Sequence, residues 1–394
     1  MASELHSALR DPEQHATLAF LAVKGVGAVT CVRLRKKFGS LAAAIEAGPA
    51  HYMEFFRGDA REEHDTRGSL DGLAEEIVAD CEKRGVHILF RGAPGWPKSL
   101  EDLGDGEPEL LFVRGTLAER AHAVAVVGTR QADTRGVNVA TRIGQKMAEA
   151  GVLVVSGGAL GIDAASHQGA LIGKGPTWAV LGGGFKRLYP PQNRELFEKI
   201  VAEGGALISE TPPQHEVKGG LFPRRNQIVA ALSQATVVVQ GGENSGAMLT
   251  AQDVLKLNKA NPERLRTLLA VPGDVADASA AGPHLLLRMG AARACWYPTD
   301  LLRALGLMPA LDFPKDGETA SEPELEPTPA ARATPLDASL EPVFRAIEAA
   351  PKHFDALASQ VRWPAPELLA ALTQLELLGM VEQKPGKFFV RKGG

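Results

Sequence analysis

Cysteine is nearly absent from this 394-residue chain, with three in all. Cys31, Cys81 and Cys295 lie far apart and fall in no paired motif, so neither a disulfide framework nor a zinc site is expected, and the usage fits a reducing compartment. No apolar run approaches the length of a membrane span, and Met1 to Asp11 lacks a charged region followed by an apolar core. A soluble cytoplasmic protein without an export signal is therefore expected. A strong charge of either sign is missing too, the formal net charge being −4. Segment 310–341 holds eight acidic and two basic residues, and without it the remainder carries about +2. Local charge matters more than the total, so this balance does not exclude DNA.

The length calls for two or three domains. Residues 1–115 read as small helices. Leu18 to Gly27 is an apolar helix running into a Gly-Val-Gly hairpin, followed by a basic helix with Arg33, Arg35, Lys36 and Lys37. This pattern suits a helix-hairpin-helix whose turn amides hold a phosphate, or a packing turn in a sterile-alpha-motif-like bundle. Trp96-Pro97 and the strand Leu110 to Gly115 would join it to the next domain. Residues 116–309 alternate short β-branched or apolar strands (123–128, 152–156, 177–182, 206–209, 235–240, 267–271) with helices (136–150, 193–203, 223–233, 247–259). Alternation with short loops predicts a doubly wound, extended Rossmann-like parallel sheet. Segment 310–341, rich in Pro, Glu, Ala and Thr without periodicity, reads as a disordered acidic linker. Residues 342–394 give three short helical patterns and a terminal hairpin, the order of a winged helix.

Also lacking is the dinucleotide fingerprint G-x-G-x-x-G. The first turn reads Gly128-Thr129-Arg130, and the arginine would fill the pyrophosphate space. No cofactor is expected. An arginine beside a glycine turn suits phosphate oxygens, which its fork takes in two parallel bonds, or else a salt bridge across the sheet edge. Ser156-Gly157-Gly158 makes a second turn into a helix, whose free amides suit an anion. Asp163 and His167 follow one helical turn apart; helix capping and packing explain them better than catalysis. Lys186 and Tyr189, three residues apart on a loop, can hold a phosphate while a base stacks, or pack beneath Pro190 and Pro191. Phe222-Pro-Arg-Arg-Asn226 sets Arg224, Arg225 and Asn226 at a helix start. Cations there oppose the macrodipole, so an anionic ligand is expected to select them, unless one arginine bridges to Glu210. Asn244, Ser245 and Gly246, in the turn after the fifth strand, are further candidate residues for holding the nucleic acid.

These pieces, in this order, resemble the DNA processing protein A family (DprA, or Smf). They are Val126-Val-Gly-Thr-Arg130, Val155 to Leu171, Ala179-Val-Leu-Gly-Gly183, Tyr189-Pro190, Ser209-Glu210, Phe222 to Asn226, Ser245-Gly246 and Val271-Pro-Gly273. The resemblance covers nearly the whole chain. It implies a non-enzymatic protein that binds single-stranded DNA, forms a homodimer through the Rossmann-like domain and loads RecA recombinase during natural transformation. It places Arg130, Lys186, Tyr189, Arg225 and Asn226 on the DNA-binding surface. Two departures stand out: Thr129 replaces the usual serine, and Gln240-Gly-Gly-Glu243 replaces an acidic residue followed by alanine.

The competing reading is a phosphoribohydrolase-like enzyme on a similar sheet. Its hallmark P-G-G-x-G-T-x-x-E is broken here, because the leading proline is missing and Thr250 stands at the working glutamate. In the C-terminal domain the third helix, about 365–378, carries Glu367 and Glu376 but no Lys or Arg. Lys384, Lys387, Arg391 and Lys392 lie on the wing instead. Protein contact or weak backbone contact is expected there rather than groove reading.

Overall fold

The computed structural model describes residues 7–67, 69–70, 72–117, 120–216, 221–309, 340–348, 350–377, 380–384 and 388–391. The linker reading for 310–341 falls outside them, save its last two positions. The chain divides into two compact units, Met1–Ala310 and Leu311–Gly394.

Among the described residues, the helices at the start of the first unit include α1 (Pro12–Leu21), α2 (Ala28–Phe38), α3 (Leu41–Ala47), α4 (Pro49–Tyr52), α5 (Asp59–Arg67) and α6 (Leu73–Arg84). In the hairpin between α1 and α2, Lys24 and Gly25 are exposed while Val26 is buried, and a Cβ on Gly25, at φ +90°, would meet Ala60 at 3.3 Å. Arg35 on the basic helix is occupied. Its Nη1 donates to Glu109 Oε2 at 2.6 Å and its Nε to Glu13 Oε1 at 2.9 Å, while Lys36 meets Asp105 at 3.2 Å. The helices share one core with the sheet, in which Phe20, Leu34 and Ile77 join Phe112, Phe197 and Leu207.

The sheet has nine strands: β1 (His87–Phe90), β2 (Leu110–Gly115), β3 (Ala123–Val127), β4 (Leu153–Ser156), β5 (Thr177–Val180), β6 (Ala206–Ser209), β7 (Ala235–Val238), β8 (Thr267–Ala270) and β9 (Arg293–Ala294). Their order is β1-β2-β6-β5-β4-β3-β7-β8-β9. Pairing is parallel from β6 to β9, and β1 and β2 extend it antiparallel at the β6 end. The strand Leu110–Gly115 is thus a full member of the sheet, and His87–Phe90 is a strand that the sequence reading did not single out.

The alternation of strand side chains builds two further cores. Val124 and Val126 face α7 (Thr134–Glu149), α8 (Ile162–Ile172) and α13 (Pro298–Ala304). Ala123, Ala125 and Val127 face α10 (Leu221–Ala231), α11 (Gly246–Ala260) and α12 (Ala281–Arg288). Helix α9 (Arg194–Ala202) joins the core shared with the N-terminal helices. Chain direction across the sheet reverses at β3, which lies between β4 and β7. The loops after β3 and β7 therefore diverge to opposite faces, leaving the crevice where open α/β sheets take their ligands.

The second unit holds α14 (Glu341–Ala346), β10 (Lys352–His353), α15 (Phe354–Val361), α16 (Ala365–Leu377), β11 (Val381–Lys384) and β12 (Phe388–Arg391), with the strands ordered β10-β12-β11. Lys384 pairs with Glu382 at 2.6 Å, and Arg391 donates to the Phe344 carbonyl at 2.7 Å. Lys387 and Lys392 lie outside the described residues. Among the described residues no helix is long and apolar enough to cross a membrane.

Candidate nucleic-acid interface

The strand ends converge on one aromatic ring. Phe222, in the first turn of α10, has the Arg130 guanidinium 4.7 Å from its centroid and the Tyr189 ring centroid at 6.1 Å. The loops after β3 and β5 are thereby brought together on α10. Arg130 is exposed, and Tyr189 keeps 47% of its surface in water. Lys186 is exposed beside them, its loop held by its own backbone N–H on the Pro213 carbonyl at 2.8 Å. Across the switch point the Thr129 N–H donates to the Gln240 carbonyl at 2.7 Å, and Gln240 Nε2 donates to Asp133 at 2.9 Å. Asn226 reaches the next loop, donating to the Gly246 carbonyl at 3.3 Å. Ser245 there is the N-cap of α11 but makes no side-chain cap bond, which leaves the first amides of that helix uncapped beside exposed Asn244.

The paired arginines do not sit as expected. Arg225 is only 6% exposed, and its Nη1 donates to the Gly157 carbonyl and, at 3.0 Å, to the Val180 carbonyl. It is an internal anchor under the edge, where burial lowers its pKa and Asp163 counters that shift. Arg224 takes the salt-bridge alternative, with Nε and Nη2 each 2.7 Å from the two carboxylate oxygens of Glu210. The glycine turn at Ser156-Gly157-Gly158 is buried as well. A Cβ on Gly157 would fall 1.6 Å from Arg225 Nη1, and one on Gly182 would fall 3.0 Å from the Phe222 ring. Those two positions are glycine because side chains of α10 fill the space above them.

The anion that the cations at the start of α10 call for is therefore partly internal. Glu210 answers Arg224, and the buried Asp163, whose own pKa burial raises against the pull of Arg225, answers Arg225 alongside its two carbonyl acceptors. Asp163 accepts from the Ala159 N–H at 3.3 Å, in keeping with a role at the helix start. His167 is fully buried, bonds to the Thr177 hydroxyl at 2.8 Å, and burial pushes its pKa down to about 3, so the ring is neutral. The two do not form an acid–base pair. Phe222 and Gln240 were not singled out as site residues from the sequence. Phe222 lies three residues before Arg225, so both project from one face of α10.

Comparison with known proteins agrees with this architecture. Residues 87–306, the whole span of the sheet, match the family model for DNA recombination-mediator protein A, and 326–387 match the DprA winged helix domain. Protein Smf of Synechocystis sp. is 30% identical over 98% of this chain and all of its own length. DNA processing protein DprA of Bacillus subtilis is 36% identical over 58% of this chain and 74% of its own. The X-ray structure of DNA processing protein A from Streptococcus pneumoniae superposes with a TM-score of 0.59 at 25% identity, covering 73% of this chain and 97% of that one. The chain belongs to the DNA recombination-mediator protein A family, the DprA/Smf proteins.

Proposed function

We propose that this protein binds single-stranded DNA along the carboxyl edge of its parallel sheet and hands the strand to RecA recombinase in recombination or natural transformation. The observation that carries the reading is the exposed Arg130 and Tyr189 on the Phe222 ring, with exposed Lys186 on the same loop as Tyr189. Two cations meet phosphates, and a half-exposed ring offers a stacking face that only an unpaired base can use. Helix α16, the element that would enter a duplex groove, carries no Lys or Arg. The enzymatic alternative is disfavoured because Thr250, at the position of the working glutamate, is a buried hydroxyl. RecA loading, dimerisation and a cytoplasmic location are part of the same proposal, and family membership is what supports them. A homodimer through the Rossmann-like unit is further supported by exposed Met289, Trp296 and Tyr297, which flank the terminal strand β9.

The test is binding of labelled single and double strands in competition, across a salt series. With about four to six phosphates neutralised, log K falls against log salt with a slope of roughly −3 to −4. Arg130→Ala and Lys186→Ala each reduce that slope by about 0.7, whereas Tyr189→Ala costs about 1–3 kcal/mol with the slope unchanged. Equal affinity for duplex and single strand, or wild-type binding by all three folded variants, refutes the proposal.

A further inference from the structure

Lys186 and Tyr189 belong to a second feature that the sheet edge does not use. On the far side of their loop lies an open groove of about 630 Å³, and Arg84, Arg114, Arg187 and Arg194 line it together with these two residues. Only Glu198 and Glu216 among its lining residues are acidic. The cations come from distant parts of the chain: Arg84 from the last turn of α6, Arg114 from β2 and Arg194 from the start of α9. Five of them gathered in one groove repel one another, which local stability does not favour.

Their carboxylate partners neutralise the groove incompletely. Arg84 meets Asp80 at 2.9 Å, Arg187 meets Glu216 at 3.4 Å, and Arg114 meets Glu198. The Arg187–Glu216 pair is widely exposed, with side chains 78% and 61% accessible, and such pairs contribute little to stability and exchange readily for a better anion. Lys186 and Arg194 bring the total to five cations against three carboxylates. The groove sets these cations beside Phe185, Leu188 and Tyr189, and cations interleaved with apolar and aromatic surface suit a strand whose phosphates and bases are both held.

Resting on the single-strand reading of the sheet edge, we propose that this groove is a second subsite for the same strand. A strand seated on Arg130 and stacked on Tyr189 continues past Lys186 into the groove, where Arg187 and Arg194 take its next phosphates. The helical N-terminal region then takes part in binding through Arg84.

The experiment measures full-length Arg187→Ala/Arg194→Ala beside Arg130→Ala and wild type. The probes are oligothymidylates of about 6 and about 20 nucleotides, one filling the edge alone and one long enough for both subsites. The expected result for the groove variant is unchanged affinity for the short strand, a loss of about fivefold or more on the long one, and a long-strand salt slope smaller by roughly 1.4. Arg187→Lys/Arg194→Lys keeps the wild-type slope, because it keeps the charge. Equal loss at both lengths, or no loss at either, overturns the groove. Arg130→Ala reports on the edge separately: it weakens both probes if the edge is the primary site, and leaves both unchanged if that reading itself is wrong.

Discussion

An uncharged substitution at Phe222 should change the salt dependence of DNA binding. Phe222 touches no phosphate in this scheme, but its ring lies 4.7 Å from the Arg130 guanidinium and holds it between the loops after β3 and β5. A cation over an aromatic face at a partly exposed site is worth about 0.5–1 kcal/mol. Phe222→Leu keeps most of the apolar volume over Gly182 and removes that face, so Arg130 is free to leave its position. Affinity should fall about two- to fivefold, the equivalent of that energy. The slope of log K against log salt should shrink toward that of Arg130→Ala, by up to roughly 0.7. Fluorescence anisotropy of a labelled oligothymidylate between about 50 and 200 mM salt resolves such a change. In the Arg130→Ala background, Phe222→Leu should leave the slope where it is, and Phe222→Tyr should behave as wild type. If Phe222→Leu weakens binding with the wild-type slope while Arg130→Ala lowers it, the ring does not position the arginine.

Four further outcomes follow. Glu210→Gln, which releases Arg224 from its two-point pair, should strengthen single-strand binding at low salt and steepen the slope by about 0.7; weaker binding by a folded variant would show that Glu210 itself is needed at the interface. Stability should fall on acidification below about pH 6.5, the unfolded pKa of His167, because the unfolded ring takes a proton that the folded ring, with its pKa near 3, refuses. That contribution is complete above pH 6.5 and is lost at about 1.4 kcal/mol per unit below it, so urea midpoints of His167→Gln should depend less on pH between 6.5 and 5 than those of wild type. Gly157→Ala forces the Arg225 guanidinium from its site and should lower stability by roughly 1–3 kcal/mol, and a midpoint equal to wild type would contradict the packing. Ending the chain at Pro309 should leave single-strand affinity within a few-fold, since the second unit presents no basic helix; a loss above about tenfold, near 1.4 kcal/mol, would give the winged helix a direct part.

Most of the parallel sheet was legible because its signal is local. Six runs of β-branched and apolar residues, each closed by a turn, coincide with β3 to β8, and the ranges read for α7, α9, α10 and α11 agree within a few residues, while α8 was read only as a helix start after Ser156-Gly157-Gly158. The antiparallel extension was harder to read. His87–Phe90 is four residues long, and its place beside Leu110–Gly115 depends on pairing across the intervening positions 91–109, which carry no β signal. The exposed half of the candidate site was also legible, since Arg130, Lys186 and Tyr189 lie on loops whose composition does not suit packing.

Arg225 shows where that kind of reading stops and what would have carried it further. A cation at a helix start points to an anionic ligand or a bridge to Glu210, but the acceptors that hold Arg225 are the Gly157 and Val180 carbonyls, 68 and 45 residues away in sequence. The space for it exists because Gly157 has no side chain, and nothing in the sequence joins those two facts. The spacing within α10 does hold a clue. Arg225, Ile228, Val229 and Leu232 stand at i, i+3, i+4 and i+7, one continuous stripe, and all four are buried. Arg224 lies off that stripe and stays partly exposed against Glu210. Helical periodicity thus separates the two arginines, one inward as an anchor and one outward as an ion pair, before any partner is known. The same test applies to Phe222, three residues before Arg225 on that stripe. It is held at the rim of the sheet, where its inner side packs on Gly182 and its face is left for Arg130.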